Sequence, residues 1–432
     1  MTSTVREILE FVKENDVKFV RLAFCDVKGG QKNIAVTAGN LEKAFTVGTA
    51  VNAAALTGFS GLNSDVVLLP DPSTLNVLPW RPDQGRVARF YCDLGLYGQK
   101  EFYGNMRGYL RRAAERGKAM GVEVLIGTEI EFYLFKTDER GLPASEPYDA
   151  CGYLDVAPLD KGENIRRDIC LTLETMGIIP ESSHHEKGPG QNEIKFRHSD
   201  ILTAADNYFT YKSVVKAVAA RNGVFASFMP KPLKSRAGNG LHLRFTLKKN
   251  GKNLFCGNSR ESEAFAAGVL ERIAEVTPFL NSTVNSYERL GENGAPKHVS
   301  WSAQNRSQLI RLDASESGYM ELRSPDPALN PYLAFALLVH AGLDGIESGL
   351  SLPPPCDKNL NAAPPASVKN YRKLPDSFAS AVKAALESEF VKSYDGGGLL
   401  TGFLDTASDE IASFADAADS DEWIRQNYFI KL

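Results

Sequence analysis

Four segments of the 432-residue chain repeat one alternation of polar and apolar side chains, and this pattern constrains the fold more than any other feature. In GTEIEFYLF, Glu129 and Glu131 alternate with Ile130 and Phe132. Because residues i and i+2 of a β-strand share a face, the two carboxylates point one way and the apolar pair packs into a core. Taken alone, this segment is also explained by a strand whose polar face meets solvent.

The segments GLHLRFTL, GYMELRSPD and HHEKGPGQNEIKF repeat the pattern with further pairs of polar side chains. These pairs are His242 with Arg244, Glu321 with Arg323, and Glu186 with Glu193 across a Gly-Pro-Gly bend. A surface ion pair, or for His242 a hydrogen-bonded core histidine, would explain each pair in isolation. Four segments of the same kind favour one shared site.

The shared site would hold five carboxylates and one imidazole, from Glu129, Glu131, Glu186, Glu193, Glu321 and His242. Like charges repel and their burial costs several kcal/mol, so this set predicts bound cations. Oxygen ligands with few nitrogens and no thiolate favour Mg²⁺ or Mn²⁺ over structural zinc, and six ligands suit two ions.

Arginines follow in the same part of the chain, at Arg289, Arg306, Arg311 and Arg323. Arginine suits the planar, bidentate binding of carboxylate or phosphate, and two metal ions with arginines stabilise a phosphoryl group during transfer. The sequence contains no GxxxxGK[ST] motif and no kinase-type glycine-rich loop. The residues alone therefore predict a metal-dependent phosphoryl-transfer enzyme of another kind, without naming its substrate.

Composition and patterning place this site in an α+β protein. A β-rich region with a hairpin at Gly29-Gly30 precedes helices that alternate with strands from Asn105 onward. The 49 basic and 53 acidic side chains give a net charge of −4, which argues against general nucleic-acid binding. We expect a cytoplasmic protein without a membrane segment, because no apolar run is long enough, the N-terminus does not resemble a secretory signal, and the six cysteines form no CxxC pair.

At these residues the chain resembles a class I glutamine synthetase. The resemblance runs from about Val17 to the C-terminus, and the motifs that carry it are GTEIEFYLF, SSHHEKGPGQNEIKF, FMPKPL, GNGLHL, STVNSYERL, SAQNRSQLIR and MELRSPDPALNPYLA. It implies ATP-dependent joining of glutamate to ammonia through a γ-glutamyl phosphate. It also implies a small β-grasp domain, here 1–97, and a catalytic domain with a curved antiparallel sheet, here 98–432.

The resemblance implies a role for each matching side chain. Glu131, Glu186 and Glu193 would hold one metal, and Glu129, His242 and Glu321 the other. Glutamate would contact Glu131, Gly238, Arg289 and Arg323, and the acceptor would lie near Tyr153, Asn52 and Glu186. Arg306 would stabilise the transferring phosphoryl group, acting with Glu186 and Arg289 in catalysis. The nucleotide would lie near Glu181, Arg311, Arg244, Tyr319 and His198.

Subunits of the family form two stacked six-membered rings with each active site between neighbours, so we expect a homo-oligomer, most simply a dodecamer. Asn52 would then serve the adjacent subunit. The C-terminal segment SDEWIRQNYFIKL is apolar enough that we expect Trp423, Ile424, Tyr428, Phe429 and Ile430 to dock on a partner.

The departures from the family concentrate on the ammonium site. The family's Asp-Gly-Ser-Ser loop reads Asn52-Ala53-Ala54-Ala55, and Gly294 stands where a flap glutamate precedes Ala-Pro, with Glu292 nearby. Ala237, Arg244 and Tyr319 replace an asparagine, a histidine and an arginine. Three hypotheses follow: a γ-glutamyl ligase for an organic primary amine, as in the family's polyamine, alkylamide and anilide branches; a true glutamine synthetase with a rearranged ammonium site; or a non-catalytic paralogue, which the complete metal-ligand set disfavours.

Overall fold

The N-terminal part of the computed structural model is a small sheet with two helices packed on it. The structure describes residues 3–59, 61, 62, 64–97 and 102–432. The N-terminal elements are α1 (Ser3–Glu14), β1 (Val17–Cys25), β2 (Gln31–Thr37), α2 (Leu41–Thr46), β3 (Thr49–Asn52), β4 (Asp65–Pro70), β5 (Asn76–Val77), β6 (Arg86–Gly95), and short 3-10 helices at Ala38–Asn40, Ala53–Ala55 and Pro72–Thr74. Within the described residues the strand order is β2–β1–β6–β4–β3, with β5 beside β6, and only β1 and β6 run parallel.

The rest of the chain builds a larger sheet covered by helices. Its first elements are α3 (Met106–Ala119), β7 (Glu123–Thr137), β8 (Pro143–Pro147), α4 (Glu163–Thr175), β9 (Pro180–His185), β10 (Gln191–Phe196), β11 (Ser199–Asp200), α5 (Ile201–Arg221), β12 (Val224–Ser227), β13 (Leu241–Lys249) and β14 (Lys252–Asn253). There follow α6 (Arg260–Leu280), a 3-10 helix at Val284–Glu288, β15 (Trp301–Ser302), β16 (Ile310–Asp313), β17 (Tyr319–Leu322), α7 (Pro331–Glu347), α8 (Pro365–Val368), α9 (Phe378–Glu387), α10 (Glu389–Ser393), α11 (Leu399–Ala415), α12 (Ser420–Ile424) and a π-helical turn at Arg425–Phe429.

Strand β7 lies at the centre of this sheet. The main order is β15–β16–β17–β13–β7–β10–β9, and β8, β11 and β12 also pair with β7. Apart from β15 and β16, the paired strands described here are antiparallel. The fold is therefore the α+β organisation that the sequence predicts. The domain boundary expected between 97 and 98 adjoins residues 98–101, which lie outside the described residues.

The predicted hairpin at Gly29-Gly30 forms a contact between the N-terminal part and the larger part of the chain. Strands β1 and β2 pair antiparallel, and Gly29 has a φ of 81°, a left-handed conformation that favours glycine. A Cβ on Gly29 would lie 2.9 Å from the Cα of Asn330. Asn330 Nδ2 in turn donates to the carbonyl oxygens of Asp26 (3.3 Å) and Val27 (3.1 Å). The hairpin tip therefore packs closely against the N-cap of α7.

A buried polar network ties three helices of the larger part to the small sheet. The Arg107 side chain of α3 is 3% exposed and donates to Asp206 of α5, with Nη2 2.9 Å from Oδ2. It also donates to Asp71 of the N-terminal part at 2.8 Å. Tyr332 of α7 donates its hydroxyl to Asp206 at 2.6 Å. Because the ion pair is buried and fully hydrogen-bonded, removing one partner would leave an uncompensated charge.

The C-terminal segment corrects one prediction. Ile424, Tyr428 and Phe429 are buried against their own chain, in a cluster with Tyr133, Phe135 and Met229, and Trp423 packs at its edge. Ile430 is 48% exposed. The apolar side chains that we expected to dock on a partner are thus mostly used within the subunit. Among the described helices, none is long and apolar enough to cross a bilayer.

We predict that Phe429→Ala destabilises the protein by about 3–5 kcal/mol, the usual cost of removing a buried aromatic side chain. Phe429 is 4% exposed, and its ring centroid lies 4.9 Å from that of Phe135. The neighbouring Ile430→Ala is the matched control, expected to change stability by less than about 0.5 kcal/mol. Guanidinium unfolding midpoints of both variants make the measurement. An equal loss in the two variants would contradict the packing within the subunit.

Candidate active site

The register of the large sheet brings the predicted carboxylates onto neighbouring strands. Glu131 of β7 lies opposite Glu193 of β10, and Glu129 lies opposite His242 of β13. On the other side of β13, Arg244 lies opposite Glu321 of β17. The period-two pattern of the sequence therefore places these side chains on one face of adjoining strands, as the alternation predicts.

The first cluster contains Glu129, His242 and Glu321. His242 Nδ1 lies 3.2 Å from Glu129 Oε2 and 3.7 Å from Glu321 Oε1, and the three possible ligand atoms all lie within 4.8 Å of one another. Burial alone would raise the pKa of Glu129, but His242, Arg244 and Lys195 together hold it well below its usual value. The cluster is one of the two predicted metal-ligand sets.

The second cluster contains Glu186 and Glu193, joined by a histidine that the sequence interpretation missed. His184 Nε2 lies 3.3 Å from Glu193 Oε1, and His184 Nδ1 lies 3.7 Å from Glu186 Oε1. The hydrogen bond to Glu193 raises the pKa of His184 to about 9. The same i, i+2 rule applied to His184 and Glu186 would have found it, since β9 pairs with β10 so that His184 faces Glu193.

Glu131, predicted to share the second metal, stands slightly apart. Its Oε2 accepts hydrogen bonds from the backbone N–H of Gly240 (2.7 Å) and from Gln191 Nε2 (2.8 Å). Its Oε1 faces His242 and Arg289 across Gly240. Burial and the nearby Glu186 carboxylate raise the pKa of Glu131. Neutral hydrogen-bond donors thus orient one Glu131 oxygen. The other oxygen, on the side of the clustered acids, remains available as a metal ligand.

The donor set fits divalent cations. Burial and the Glu193 charge raise the pKa of Glu186, which means that the carboxylates crowd each other. A cation between them would offset this repulsion, and the ligand atoms are mainly carboxylate oxygens with imidazole nitrogens. Thus Glu129, His242 and Glu321 could hold one ion, and Glu186 and Glu193, with Glu131 or His184, could hold a second.

The two clusters border one cavity of about 360 Å³. Its lining contains the predicted site residues Glu129, Glu131, Tyr153, Glu186, Glu193, Gly238, His242, Arg289, Arg306 and Arg323. It also contains residues that were not predicted to contact a ligand, among them His184, Lys187, Gln191, Asn293 and Ser307. Apart from Glu321, which is outside the lining, the side chains that the sequence assigns to glutamate, metal and phosphoryl group therefore converge on a single cavity.

The candidate glutamate side of the cavity combines an arginine with a glycine. Arg289 is 4% exposed, and its Nη1 donates to the carbonyl oxygen of Ser324 at 2.8 Å. Burial lowers the pKa of Arg289, with Glu131 acting in the opposite direction. A Cβ on Gly238 would lie 2.4 Å from the carbonyl oxygen of Pro230, so only glycine fits there. Arg323, on the same side, forms an ion pair with Glu321.

The candidate nucleotide residues form a group beyond the first cluster, outside the cavity lining. Arg244 Nη2 donates to Glu181 at 3.0 Å, and its Nε lies 3.4 Å from Glu129. Arg311 donates to the Tyr319 hydroxyl at 2.8 Å and to Glu321 at 2.6 Å. The His198 ring lies 6.1 Å from that of Tyr319, and burial beside Arg244 lowers the pKa of His198 to about 4.

Asn52, a predicted site residue, lies outside the cavity lining. It ends β3 in the N-terminal sheet, and its Oδ1 accepts from the backbone N–H of Ala54 at 3.0 Å. Every described residue that lines the cavity comes from the larger part of the chain. The sequence assigned Asn52 to the site of an adjacent subunit, and that assignment stays a prediction.

A third buried group, Asp149, Cys151 and His185, lies behind the second cluster. His185 Nε2 lies 3.0 Å from Asp149 Oδ1, and His185 Nδ1 lies 2.7 Å from the carbonyl oxygen of Glu186. Asp149 also accepts from the backbone N–H groups of Cys151 and Gly190. These hydrogen bonds fix the loop that carries Glu186, so we assign the group a positioning role.

Comparisons with known proteins agree with this architecture. Residues 104–428 match the family model described as "Glutamine synthetase, catalytic domain", and residues 16–96 match "Glutamine synthetase, beta-Grasp domain". The β-grasp fold expected for the N-terminal part is thereby confirmed. A glutamine synthetase of Methanosarcina mazei is 42% identical over 93% of both chains, and one of Clostridium saccharobutylicum is 42% identical over 90% of both.

Solved structures give the same result. The structure of a GmaS/ADP complex superposes with a TM-score of 0.87 at 28% identity, covering 97% of this chain and 98% of that one. Apo GmaS without ligand gives a TM-score of 0.86 with the same identity and coverage. The similarity therefore extends through both parts of the fold.

We predict that Glu321→Ala and Glu131→Gln each weaken Mn²⁺ binding by at least about 10–100-fold and abolish metal-dependent ADP release. Even an outer hydrogen-bond partner of a metal ligand is worth about 10–100-fold in affinity, and each variant removes one carboxylate charge from the clustered set. Electron paramagnetic resonance of free Mn²⁺ measures binding independently of turnover. Glu146→Gln, an acid exposed outside the cavity and paired with Lys136, is the control. Unchanged Mn²⁺ affinity in both site variants, or full activity in chelator, would contradict the assignment.

Proposed function

The chain belongs to the glutamine synthetase family of ATP-dependent ligases, and we propose that it joins the γ-carboxylate of glutamate to an organic primary amine. The observation that carries the choice of acceptor is the charge on one side of the cavity. The described lining there contains Lys187 and the Glu292–Asn293–Gly294 turn. Apart from Glu186, a candidate metal ligand, its acidic side chain is Glu292, which is already paired with Lys231.

The proposed reaction has two steps. First, a γ-carboxylate oxygen of glutamate attacks the γ-phosphorus of ATP, the bond to ADP breaks, and γ-glutamyl phosphate forms. The amine nitrogen then attacks the γ-carbonyl carbon, the carbon–oxygen bond to phosphate breaks, and inorganic phosphate leaves with that electron pair. Each turnover gives the γ-glutamyl amide, ADP, phosphate and a proton. Divalent cations, when bound, supply positive charge for the phosphate oxygens, and we propose Mg²⁺ or Mn²⁺.

The chain's own residues are proposed to act in these steps as follows. Arg289 and Gly238 bind and orient glutamate, since both line the cavity and Arg289 is buried. Arg306, which is exposed on the rim, carries the positive charge that would stabilise the transferring phosphoryl group. Glu186 lines the same cavity and is the proposed acceptor of the amine's proton. The group around Arg311 and Arg244 would orient the nucleotide.

The Glu292 side chain is poorly suited to replace the missing ammonium ligands. Its Oε2 lies 2.7 Å from Nζ of Lys231, whose side chain is only 2% exposed. Turning Glu292 toward an ammonium ion would leave the Lys231 charge buried without its partner, which is strongly unfavourable. Gly294 offers no side chain, and Asn52 offers an amide where a charged carboxylate would be needed. The binding of an amine that carries an apolar tail depends less on such carboxylates, because contacts with the tail contribute to the binding free energy.

Tyr153 provides an apolar wall for a larger acceptor. It lines the cavity, is 51% exposed, and its ring meets that of His184 edge-on with centroids 5.6 Å apart. Burying an alkyl tail against such a wall contributes about 0.8 kcal/mol per methylene. Glutamine synthesis from ammonia is the second candidate, favoured by the curated relatives at 42% identity that bear that name.

We predict that the best primary amine exceeds ammonium in kcat/KM by about 10²–10⁴. Charge-assisted hydrogen bonds contribute about 1.5–3 kcal/mol each, and two of the family's ammonium ligands are absent. Steady-state ADP release with glutamate, ATP and each acceptor makes the measurement. Asn52→Asp should raise the value for ammonium, and Asn40→Asp, which adds the same charge elsewhere in the N-terminal part, is the control. A higher kcat/KM for ammonium than for every amine would establish the second candidate instead.

We also predict a closed ring assembly, most simply of twelve subunits. Asn52 is exposed and lies outside the cavity lining, so it can complete a site only on a neighbouring chain. A head-to-tail contact of that kind forms a ring when its rotation closes, and the ring is the form that we predict. Light scattering at micromolar concentration measures the mass. A monomer, with catalysis retained, would contradict both the ring and the role of Asn52.

A further inference from the structure

The acceptor side of the cavity presents an ammonium group that the reaction with glutamate and ATP does not use. We propose that Lys187 binds a carboxylate on the acceptor, so that the preferred acceptor is an amino acid or another primary amine with an anionic tail. This inference rests on the proposed function, because it concerns the second substrate of the same ligase. The chain offers three observations that carry it.

The first observation is that Lys187 is charged, exposed and lacks a carboxylate partner. Its side chain lines the cavity, and its Nζ donates to the carbonyl oxygen of Asn293 at 3.2 Å. No acidic side chain in the described part of the chain forms an ion pair with this Nζ. Lys231 is buried and paired with Glu292, and Lys297, which packs on Gly291, lies outside the cavity lining. Lys187 is therefore the lysine whose charge remains available to a ligand.

The second observation is the space beside this ammonium group. A Cβ on Gly294 would lie 3.4 Å from Lys187 Nζ, so a longer side chain at Gly294 would extend toward the lysine. The tight turn from Gly291 to Ala295 is closed by a backbone hydrogen bond from Gly291 N–H to Ala295 O at 3.2 Å. Because Gly294 has no side chain, the Lys187 ammonium group is open toward the cavity. A carboxylate of the acceptor fits this open position.

The third observation is the position of Lys187 directly after Glu186, the proposed proton acceptor. Both side chains line the cavity, so an amine near the Glu186 carboxylate has the Lys187 side chain in the same cavity. The backbone N–H of Lys187 donates to Glu186 Oε2 at 3.0 Å, which fixes the two residues relative to each other. One end of the acceptor would thus meet a carboxylate, and the other end an ammonium group.

This arrangement also selects against other amines. A diamine would bring a second cation toward Lys187, and like charges at that distance repel. A neutral alkylamine would leave the lysine without a partner but would suffer no repulsion. We therefore expect kcat/KM to be highest for the ω-amino acid, lower for the neutral amine of the same length, and lowest for the diamine. Attraction or repulsion at Lys187 sets this order.

The test compares acceptors of equal length on the purified full-length protein with glutamate, ATP and Mg²⁺. The probes are glycine, β-alanine and 4-aminobutanoate, the amino alcohols of the same carbon number, and the matching diamines. Product formation is followed by mass spectrometry and by ADP release. We expect the best amino acid to exceed its amino alcohol by about 10–100-fold in kcat/KM, the ratio that corresponds to one charge-assisted hydrogen bond.

Lys187→Met is expected to lower this amino acid to amino alcohol ratio by about 10–100-fold, and Lys187→Arg to retain most of it. Lys187→Glu should invert the order, so that the diamine exceeds the amino acid. The control is Lys383→Met, which removes an ammonium group that is 75% exposed on α9, away from the cavity. The ratio, unlike the rate, is insensitive to a general loss of folding.

Two outcomes would overturn the inference while leaving the proposed function in place. One is an amino alcohol or diamine that exceeds the amino acid in the unmodified protein while all exceed ammonium. The other is an equal loss for all acceptors in Lys187→Met, which would make Lys187 a tether between the Glu186 loop and the Gly291–Ala295 turn. Ammonium as the best acceptor would instead refute the proposed function itself.

Discussion

The repulsion among carboxylates on one face of the large sheet is the constraint on which the rest of the site depends. Glu129, Glu131, Glu193 and Glu321 lie on adjoining strands, and backbone pairing prevents them from moving apart. Such a face is stable only when each charge is compensated. Within the chain the compensation comes from His242, His184 and the arginines that flank Glu321, and divalent cations would complete it. Metal binding and the stability of this face are therefore two consequences of the same charge distribution.

The alternation in the sequence was sufficient to predict which side chains share this face, because the period of a β-strand is fixed by its backbone. It could not predict which neighbours would meet across strands, since register depends on the turn geometry. His184 illustrates the difference. It lies two residues before Glu186 and was available to the same rule, but its role depends on the pairing of β9 with β10, which places it opposite Glu193. Likewise, the third group behind Glu186 depends on a contact between Asp149 and His185, 36 residues apart.

The C-terminal segment shows where composition misleads. Its apolar side chains predicted an interface with a partner. They are buried, but against Tyr133 and Phe135, near the C-terminal end of β7 in the same chain. An apolar segment in the sequence predicts that its side chains are buried. It does not predict whether they are buried against the same chain or against a partner. The hairpin tip at Gly29 differs from the C-terminal segment. The local sequence was enough to predict the turn, but the contact between Gly29 and Asn330 could be seen only in the tertiary structure.

The two halves of the site are built from elements that differ in rigidity. Most side chains assigned to metal and nucleotide stand on paired strands, whose hydrogen bonds resist displacement, whereas Gly238, Arg289 and Arg323 lie on connecting segments. The proposed acceptor side is built from the Glu186–Gly190 loop and the Gly291–Ala295 turn. In the loop, a Cβ on Gly188 or Gly190 would clash with Tyr133 or Leu134 of β7, whereas the Lys187 side chain is exposed. Under the proposed function, Gly294 in place of a carboxylate and the exposed Lys187 set the charge that the acceptor meets, and both lie outside the strands that carry Glu129, His242 and Glu321. The two proposed tasks are not fully separate, because Glu186 is both a candidate metal ligand and the proposed acceptor of the amine's proton, so the loop that carries it serves both.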